Sequence, residues 1–369
     1  MEISTVNDES KKITSKAYGA SGSFIGGKKL ELMEIERNQP SSDEVLIEIL
    51  YCGICHSDIH QVNNDWHNTI YPCVPGHEII GKIIARGSSV QRFEISDIVG
   101  VGCMIDSCQN CKSCNAGEEQ YCLGDVGPTM TYNGYFKPDG TDFNTFGGFS
   151  SHIVVKEHFL LSIPHTLELS KAAPIVCAGV TTYSPLKHWG VKSGDSIGII
   201  GIGGLGHMGV MIAKAMGAKV TAITNSEDKR DAALFLGADE VLLSDNLDEM
   251  KAKETTFDLL LCTIPISFDI NPYINLLAPR GTIITVGLLA PYETATNNMN
   301  VAKYGRSVAG SLIGGIAETQ EVLEFCATHK ILPHVEMINI QEVNKAFEHI
   351  QNQDIHFRYV IDMKSFKHN

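Results

Sequence analysis

The chain lacks an excess of positive charge and lacks any long apolar run. Its 369 residues carry 29 Lys and Arg against 43 Asp and Glu, a formal net charge of -14. Because Lys and Arg supply most of the affinity for phosphate backbones and anionic bilayers, this deficit argues against nucleic-acid and membrane-surface partners. Stretches of about 18 apolar residues are absent, so we expect no transmembrane helix.

The N-terminal segment also lacks the apolar core of a secretory signal. Residues 1–16 are polar, which favours a cytoplasmic protein, and residues 1–10 predict a short, loosely attached extension. The 11 cysteines are an odd number in a long chain without a signal. That count argues against a disulfide framework and favours reduced thiols, some of which bind metal.

Short strand patterns dominate the first part of the chain. Residues 44–50 and 78–85 are rich in isoleucine, and glycines separate them from their neighbours. Such frequent turns predict a compact, β-barrel-like unit. After about residue 301 the pattern changes again. It predicts a strand at 307–313, helices at 318–329 and 341–351, and a closing strand at 358–362.

Four cysteines follow one another at metal-binding spacing. Cys108, Cys111 and Cys114 are each separated by two residues, and Cys122 comes seven residues later. Thiolates at this spacing turn inward around one ion, as in closed tetrahedral zinc sites with Zn–S distances of roughly 2.3 Å. A closed site has no open coordination position, so we predict a structural zinc.

The period of the pattern changes near residue 196. An apolar strand, Ser196–Ile200, precedes a Gly-x-Gly-x-x-Gly turn at residues 201–206, then a helix to Met216 and a second strand to Thr224. Strands and helices continue to alternate, with strands at 240–243, 257–262 and 281–287 and helices at 228–236 and 269–277. This order predicts a doubly wound parallel sheet whose glycine turn binds a dinucleotide pyrophosphate through Gly201, Gly203, Leu205 and Gly206.

The end of the second strand lacks the carboxylate typical of NAD sites. Thr224 is followed by Asn225 and Ser226, which can donate hydrogen bonds, and then by Lys229 and Arg230, which can supply charge. We therefore predict NADP(H). The two cations could instead be solvated charges on a helix face, and the acidic pair at 227–228 partly offsets them.

The chain resembles the zinc-dependent medium-chain alcohol dehydrogenases, particularly the NADP-dependent cinnamyl-alcohol dehydrogenase branch. The resemblance rests on the motifs at residues 53–58, 75–78, 108–122, 177–181, 201–206 and 310–314. It implies an α/β architecture with two domains. A GroES-like, β-rich catalytic zinc domain covers 1–164 and 303–369, and a Rossmann NADP-binding domain covers 165–302.

The resemblance also implies the ligands of a catalytic zinc. On its own pattern Cys177 reads as a core cysteine, but in the family the matching thiol binds zinc together with the Cys55 thiol and the His77 imidazole. Glu78 resembles a nearby carboxylate that assists ligand exchange, and it could equally act only on the ligands around it. Two zinc ions per chain are therefore expected.

Further roles follow from the resemblance. Ser57 would pass the alcohol proton towards His60, and Trp66 would line the substrate pocket. A hydroxyl bonded to local backbone, a surface histidine and a core tryptophan remain alternatives. The residues matched to cofactor contacts, besides those of the glycine turn and the second-strand end, are His56, Thr181, Val286, Ser311 and Ile313.

These observations predict an oxidoreductase that interconverts primary alcohols and aldehydes, aromatic or medium-chain aliphatic, with NADP(H). A homodimer is the family expectation. A polyol dehydrogenase of the same superfamily would carry an acidic residue after the second strand. A non-catalytic NADPH-binding sensor on the same fold would have lost Ser57 or a zinc ligand.

Overall fold

The computed structural model describes residues 12–23, 29–137, 139–141, 143–287, 290–352 and 358–368. The extension predicted for residues 1–10 lies outside these residues. The chain forms two compact units. The first comprises Met1–Val176, Val335–Asp354 and Tyr359–Asn369, and the second comprises Cys177–His334 and Ile355–Arg358. Every helix in the described part of the chain is too short or too polar to cross a bilayer.

The strands and helices are named in chain order. The strands are β1 (Ile13–Gly19), β2 (Glu31–Arg37), β3 (Glu44–Gly53), β4 (Glu78–Arg86), β5 (Ile98–Val101), β6 (Met104–Asp106), β7 (Thr129–Met130), β8 (His152–Lys156), β9 (Leu161–Ser162), β10 (Ser196–Ile200), β11 (Lys219–Thr224), β12 (Glu240–Leu243), β13 (Phe257–Cys262), β14 (Leu277–Thr285), β15 (Ser307–Gly310), β16 (Val335–Asn339) and β17 (Arg358–Asp362). The α-helices are α1 (His56–Asn63), α2 (Lys112–Asn115), α3 (Leu169–Ala172), α4 (Ala178–His188), α5 (Gly206–Ala215), α6 (Arg230–Phe235), α7 (Leu247–Ala252), α8 (Asn271–Leu276), α9 (Asn298–Ala302), α10 (Ile316–His329) and α11 (Val343–Gln351).

The first unit is built on a sheet with the order β16-β17-β3-β4-β5-β9, in which β8 also pairs with β3. The strands predicted at 44–50 and 78–85 are confirmed as β3 and β4. They pair antiparallel, and Gly53 at the end of β3 lies opposite Glu78 at the start of β4. This register matters for the site, because Cys55 follows the end of β3 and His77 directly precedes β4.

The second unit contains the predicted parallel sheet. Its order is β12-β11-β10-β13-β14-β15, which places the first strand of the unit beside the fourth. All five strand pairs are parallel. Buried side chains along these strands form its core, among them Ile200, Ile223, Leu260, Cys262 and Ile283. Dinucleotides bind such sheets outside the carboxyl ends of the strands, where the strand order reverses, here between β10 and β13.

Several predicted boundaries move by a few residues. The helix predicted at 228–236 begins with a 3-10 turn, Glu227–Lys229, before α6. The helix predicted at 269–277 is α8, which starts later because the Asp269 carboxylate accepts the Asn271 amide at 3.0 Å. The strand predicted at 307–313 ends at Gly310. The loop that follows β15 contains two glycines, which favour an irregular path before α10.

Candidate active site

The four closely spaced cysteines converge in the first unit. Cys108, Cys111, Cys114 and Cys122 place their sulfur atoms within 4.8 Å of one another. Backbone amides point at these sulfurs. Cys111 Sγ accepts the Cys114 amide at 3.5 Å and the Leu123 amide at 3.3 Å. Cys122 Sγ accepts the Cys108 amide at 3.4 Å. We call residues 108–122 the cysteine lobe.

The electrostatics of the cysteine lobe suit a bound cation. The amides of Cys114 and Leu123 lower the pKa of the Cys111 thiol to about 6. Burial instead raises the pKa of Cys114 to about 12, although the Ser107 hydroxyl opposes this. The pKa values of these two thiols are therefore shifted in opposite directions. A divalent cation would ionise all four, and an all-sulfur tetrahedral set is what a structural zinc requires.

The cysteine lobe gives a direct prediction. Cys111→Ser should remove one zinc per chain and lower the thermal unfolding midpoint by roughly 5–10 °C, because bound metal contributes directly to local folding. Metal analysis and thermal unfolding measure both effects. Lys112→Ala is the control, since Lys112 is exposed on the same short helix. An unchanged metal content in the serine variant would show that Cys111 is not a ligand.

A second group of potential ligands is fully enclosed. Cys55, His77, Glu78 and Cys177 place one ligand atom each within 4.8 Å of one another, and all four residues are buried. Each stands at the end of a secondary-structure element. Cys55 is the N-cap of α1, Glu78 begins β4, and Cys177 directly follows the 3-10 helix Ala173–Val176, which packs on β4.

Close packing around Glu78 explains a glycine in the sequence. A Cβ atom at Gly53 would lie 2.0 Å from Glu78 Oε2 and 3.0 Å from the Glu78 Cβ. Only glycine leaves room for this carboxylate opposite the end of β3. Gly53 therefore permits Glu78 to share the same buried space as the three zinc-type donors.

Asp58 ties the two ligand segments together. Its side chain is completely buried. One carboxylate oxygen accepts the Cys55 amide at 2.8 Å, and the other accepts the Gly76 amide at 3.0 Å and lies 3.2 Å from His77 Nδ1. A carboxylate on Nδ1 fixes the imidazole tautomer and leaves Nε2 for a metal. This contact lets Asp58 orient the His77 ring.

The surroundings of His77 favour its interaction with a cation or a proton. Desolvation opposes the imidazolium, but Cys103 and Asp58 outweigh it and raise the pKa of His77 well above its ordinary value. The ring also packs against Tyr132, with ring centroids 5.5 Å apart. A metal must displace the proton from His77, so metal affinity should fall as the pH is lowered.

The predicted dinucleotide turn lies between β10 and α5 in the second unit. Gly201 has a φ of +87°, which favours glycine, and α5 begins at Gly206. A Cβ atom at Gly206 would lie 1.8 Å from the Gly201 carbonyl oxygen. A Cβ at Gly203 would meet nothing within 4 Å, which leaves an open approach to the turn. The helix N-terminus there is suited to an anionic pyrophosphate.

The comparisons with known proteins agree with this geometry. Residues 41–165 match the family described as "Alcohol dehydrogenase GroES-like domain", and residues 204–328 match "Zinc-binding dehydrogenase". The chain is 47% identical over 347 residues to the aldehyde reductase YahK of Escherichia coli (strain K12), covering 94% of this chain and 98% of the relative. The chain belongs to the zinc-dependent medium-chain alcohol dehydrogenases.

Solved structures place this alcohol dehydrogenase in the predicted branch. A cinnamyl alcohol dehydrogenase from Sorghum bicolor has a TM-score of 0.89 and 38% identity, with 95% of this chain and 98% of that chain covered. The CAD from Helicobacter pylori, solved in complex with NADP(H), has a TM-score of 0.87 and 38% identity, with 96% and 99% covered. The family and fold predicted from the motifs are thereby confirmed.

The structure brings the predicted proton-relay residues together on α1. Cys55 Sγ lies 3.7 Å from Ser57 Oγ. The rings of His56 and His60 are 4.8 Å apart, and His60 and Trp66 are 5.6 Å apart, measured between centroids. Trp66 is half-buried. The relay candidate His60 is thus flanked by two aromatic rings rather than surrounded by solvent.

Asp65 is a residue of this site that the sequence reasoning missed. Its carboxylate lies 2.7 Å from His60 Nδ1. Asn64, in the left-handed conformation with a φ of +63°, ends α1 and turns the chain back, and the Asp65 amide donates to the His60 carbonyl at 3.0 Å. An asparagine at a helix C-cap is a recognisable signal for such a reversal, and it could have suggested Asp65 as a partner of His60.

The contacts made after β11 differ between Lys229 and Arg230, the two cations predicted to bind the cofactor. The Arg230 guanidinium makes hydrogen bonds of 2.6 Å and 3.1 Å to the Glu227 carboxylate. Lys229 is half-buried, and burial lowers its pKa. No hydrogen bond or ion pair within the described residues engages its ammonium group. Asn225 is exposed, and the Ser226 amide donates to Thr224 Oγ1 at 3.2 Å.

The remaining predicted cofactor residues lie in the second unit. Val286 follows β14, and its amide donates to the Cys262 carbonyl at 2.9 Å. Ser311 follows β15, and its amide donates to the Thr285 carbonyl at 3.2 Å. Ile313 has an unusual φ of +41° for a β-branched residue. Thr181 is buried in the first turn of α4. Val286 and Ser311 thus follow the carboxyl ends of neighbouring parallel strands.

Proposed function

We propose that this chain is a zinc- and NADP(H)-dependent oxidoreductase that interconverts primary alcohols and aldehydes, with aromatic or medium-chain aliphatic substrates. The observation that carries the proposal is the buried group of Cys55, His77, Cys177 and Glu78. Two thiolates and an imidazole are the donor set of a catalytic zinc with one open position. Tetrahedral Zn–S bonds of roughly 2.3 Å imply sulfur–sulfur separations of roughly 3.8 Å, which the observed spacing accommodates.

Zinc held by these three side chains would act as a Lewis acid that polarises the carbonyl oxygen of the aldehyde. NADPH would supply the hydride to the carbonyl carbon, and NADP+ would accept it in the reverse direction. The side chains of the protein would hold the zinc and the cofactor, and they would transfer the proton. Asp58 orients Cys55 and His77 through the contacts described above. The buried Glu78 would supply a carboxylate ligand while substrate and product exchange.

The proton that completes the alcohol reaches the substrate oxygen from Ser57. The Ser57 hydroxyl lies beside Cys55 and could donate a hydrogen bond to the oxygen of a substrate in this site. His60 would exchange this proton with solvent, since an imidazole can both accept and donate a proton. Asp65 holds His60 by Nδ1, so proton exchange would use Nε2. Trp66 packs against His60 at a tilt and would supply an apolar face for an aromatic or aliphatic substrate.

Binding of the cofactor is assigned to the glycine turn and to the carboxyl ends of the parallel strands. Gly201, Gly203, Leu205 and Gly206 would hold the pyrophosphate, and Asn225, Ser226 and Lys229 the 2′-phosphate. As the resemblance implies, Ile313 would lie near the nicotinamide and His56 would contact the pyrophosphate. Thr181, Val286 and Ser311 would also contact the cofactor. Arg230 would contribute less, because Glu227 already neutralises it.

The cofactor assignment gives a second prediction. Lys229→Ala should lower kcat/KM for NADPH by about 10- to 50-fold and leave kcat/KM for NADH within about threefold, because only NADPH carries the 2′-phosphate that the ammonium group would bind. Initial rates with saturating aldehyde measure both values. Arg230→Ala is the matched comparison, and its effect should be smaller. Equal losses with both cofactors would contradict the role of Lys229.

Two further properties are proposed. None of the 11 cysteines, all of which the structure describes, forms a disulfide, and this supports a reducing, cytoplasmic location. A homodimer is supported by β15, which lies at the edge of its sheet and exposes Val308 by 37%. A polyol dehydrogenase is not favoured, since Asn225 rather than a carboxylate follows β11. A non-catalytic NADPH sensor is not favoured either, since Ser57 and all three zinc-type donors are present.

A further inference from the structure

Thr263 is a residue that neither the motifs nor the proposed catalytic steps use. It directly follows β13, at the point where the strand order of the parallel sheet reverses, and it is 6% exposed. Its amide donates to the Ile200 carbonyl at 2.9 Å, which extends the pairing of β13 with β10. Its hydroxyl lies 2.8 Å from the Gly201 carbonyl oxygen and 3.0 Å from that of Ile200.

The hydroxyl proton is best assigned to Gly201. The Ile200 carbonyl already accepts the Thr263 amide, and the contact to Gly201 is the shorter one. The Gly201 carbonyl is the same group that excludes a side chain at Gly206. Thr263 Oγ1 also fills the space beside both glycines, since ideal Cβ atoms at Gly201 and Gly206 would lie 3.1 Å and 3.3 Å from it.

Thr263 also lies close to the chain segment that follows β14, on the other side of β13 from β10. A Cβ atom at Gly287, just beyond β14, would lie 2.4 Å from the Thr263 carbonyl oxygen. The side chain therefore contacts the turn after β10, and the main chain lies against the segment after β14. These segments follow strands from the two mononucleotide-binding halves of the fold.

We propose that Thr263 is a positioning residue for the cofactor. Its hydroxyl holds the Gly201 carbonyl and thereby keeps the turn at residues 201–206 in the conformation that presents backbone amides to the pyrophosphate. This inference rests on the proposed function, because it concerns the site assigned to NADP(H). It adds a side chain that directly follows β13 to a turn whose sequence motif contains only residues from the end of β10 to the start of α5.

The test compares two substitutions that separate the hydroxyl from the shape of the side chain. Thr263→Val keeps the branched shape and removes the donor, and Thr263→Ser keeps the donor and removes the methyl group. The valine variant should bind NADPH about 5- to 20-fold more weakly, as expected for loss of one buried hydrogen bond. The serine variant should bind within about twofold of the unmodified protein. Fluorescence titration of the full chain measures both without turnover.

Two further measurements separate positioning from a general loss of structure. Adenosine 2′-monophosphate lacks a pyrophosphate, so its affinity should be the same in all variants. Amide hydrogen exchange at residues 203–206 of the cofactor-free protein should be about tenfold faster in the valine variant alone. If valine binds NADPH as well as threonine does, or serine is as weak as valine, the inference is wrong.

The outcome also distinguishes this inference from the proposed function. If the unmodified chain does not bind NADPH, the proposed function fails. If it binds NADPH and Thr263→Val changes neither affinity nor exchange, only the role of Thr263 fails. Should the valine variant not fold, Thr263→Ala against Thr263→Ser gives the same comparison, and equal NADPH affinities would overturn the inference.

Discussion

Replacing Cys177 by serine is expected to reduce the rate of NADPH-dependent aldehyde reduction by at least about a thousandfold. Lewis-acid polarisation of a carbonyl is worth several kcal/mol, and each 1.36 kcal/mol corresponds to a factor of about ten in rate. Zinc content should fall from two ions per chain to one, because the cysteine lobe keeps its own ion. Metal analysis and initial rates on the same preparation measure both effects.

The matched control for this prediction is Cys326→Ser. Cys326, in α10, is also a buried cysteine outside any disulfide, and it belongs to neither group of potential ligands found in the described residues. It should keep two zinc ions and most of the rate, with some loss of stability from burying a hydroxyl. If Cys177→Ser retained two zinc ions and the full rate, Cys177 would be the core cysteine that its isolated sequence context suggests.

The second large effect is expected at Ser57. Ser57→Ala should lower kcat by about 10²- to 10⁴-fold, the usual contribution of a positioned proton donor or acceptor. Zinc content and NADPH affinity should not change, because the Ser57 side chain is not among the candidate metal ligands. Ser57→Thr keeps the hydroxyl and should recover much of the lost rate. Steady-state kinetics, metal analysis and cofactor titration measure kcat, zinc content and NADPH affinity separately.

A different pattern would show that Ser57 is structural. If the alanine variant lost zinc in proportion to its activity, the hydroxyl would be supporting the Cys55 thiolate rather than moving a proton. If the alanine variant kept the rate of the unmodified protein, the proton would take another path. His60, held by Asp65, would then be the first group to test.

The sequence predicts best those parts of the site that depend on local chain geometry. The spacing of Cys108, Cys111 and Cys114 closes around one point because each pair is separated by two residues, and the structure brings their sulfurs together with that of Cys122. The turn at residues 201–206 follows equally from its context between a strand and a helix. In both cases residues close in the sequence are close in space, so no tertiary information is needed.

Long-range features were accessible only through the family resemblance or not at all. Cys177 lies about a hundred residues from Cys55 and His77, and its isolated context favours a core position. Asp65 is signalled only indirectly, by the helix end at Asn64, and the contact between the Thr263 hydroxyl and the Gly201 carbonyl is encoded by no motif. The different roles of Lys229 and Arg230 depend on which of them Glu227 engages, and that choice is set by side-chain packing at the start of α6.

The most direct test of the account is the steady-state reduction of cinnamaldehyde by the purified full chain, with NADPH and with NADH, alongside its zinc content. We predict two zinc ions per chain, robust reduction with NADPH, and a kcat/KM at least about tenfold lower with NADH. Benzaldehyde and medium-chain aliphatic aldehydes should also be reduced. A chain that bound zinc and NADPH yet reduced none of these aldehydes would contradict the assignment.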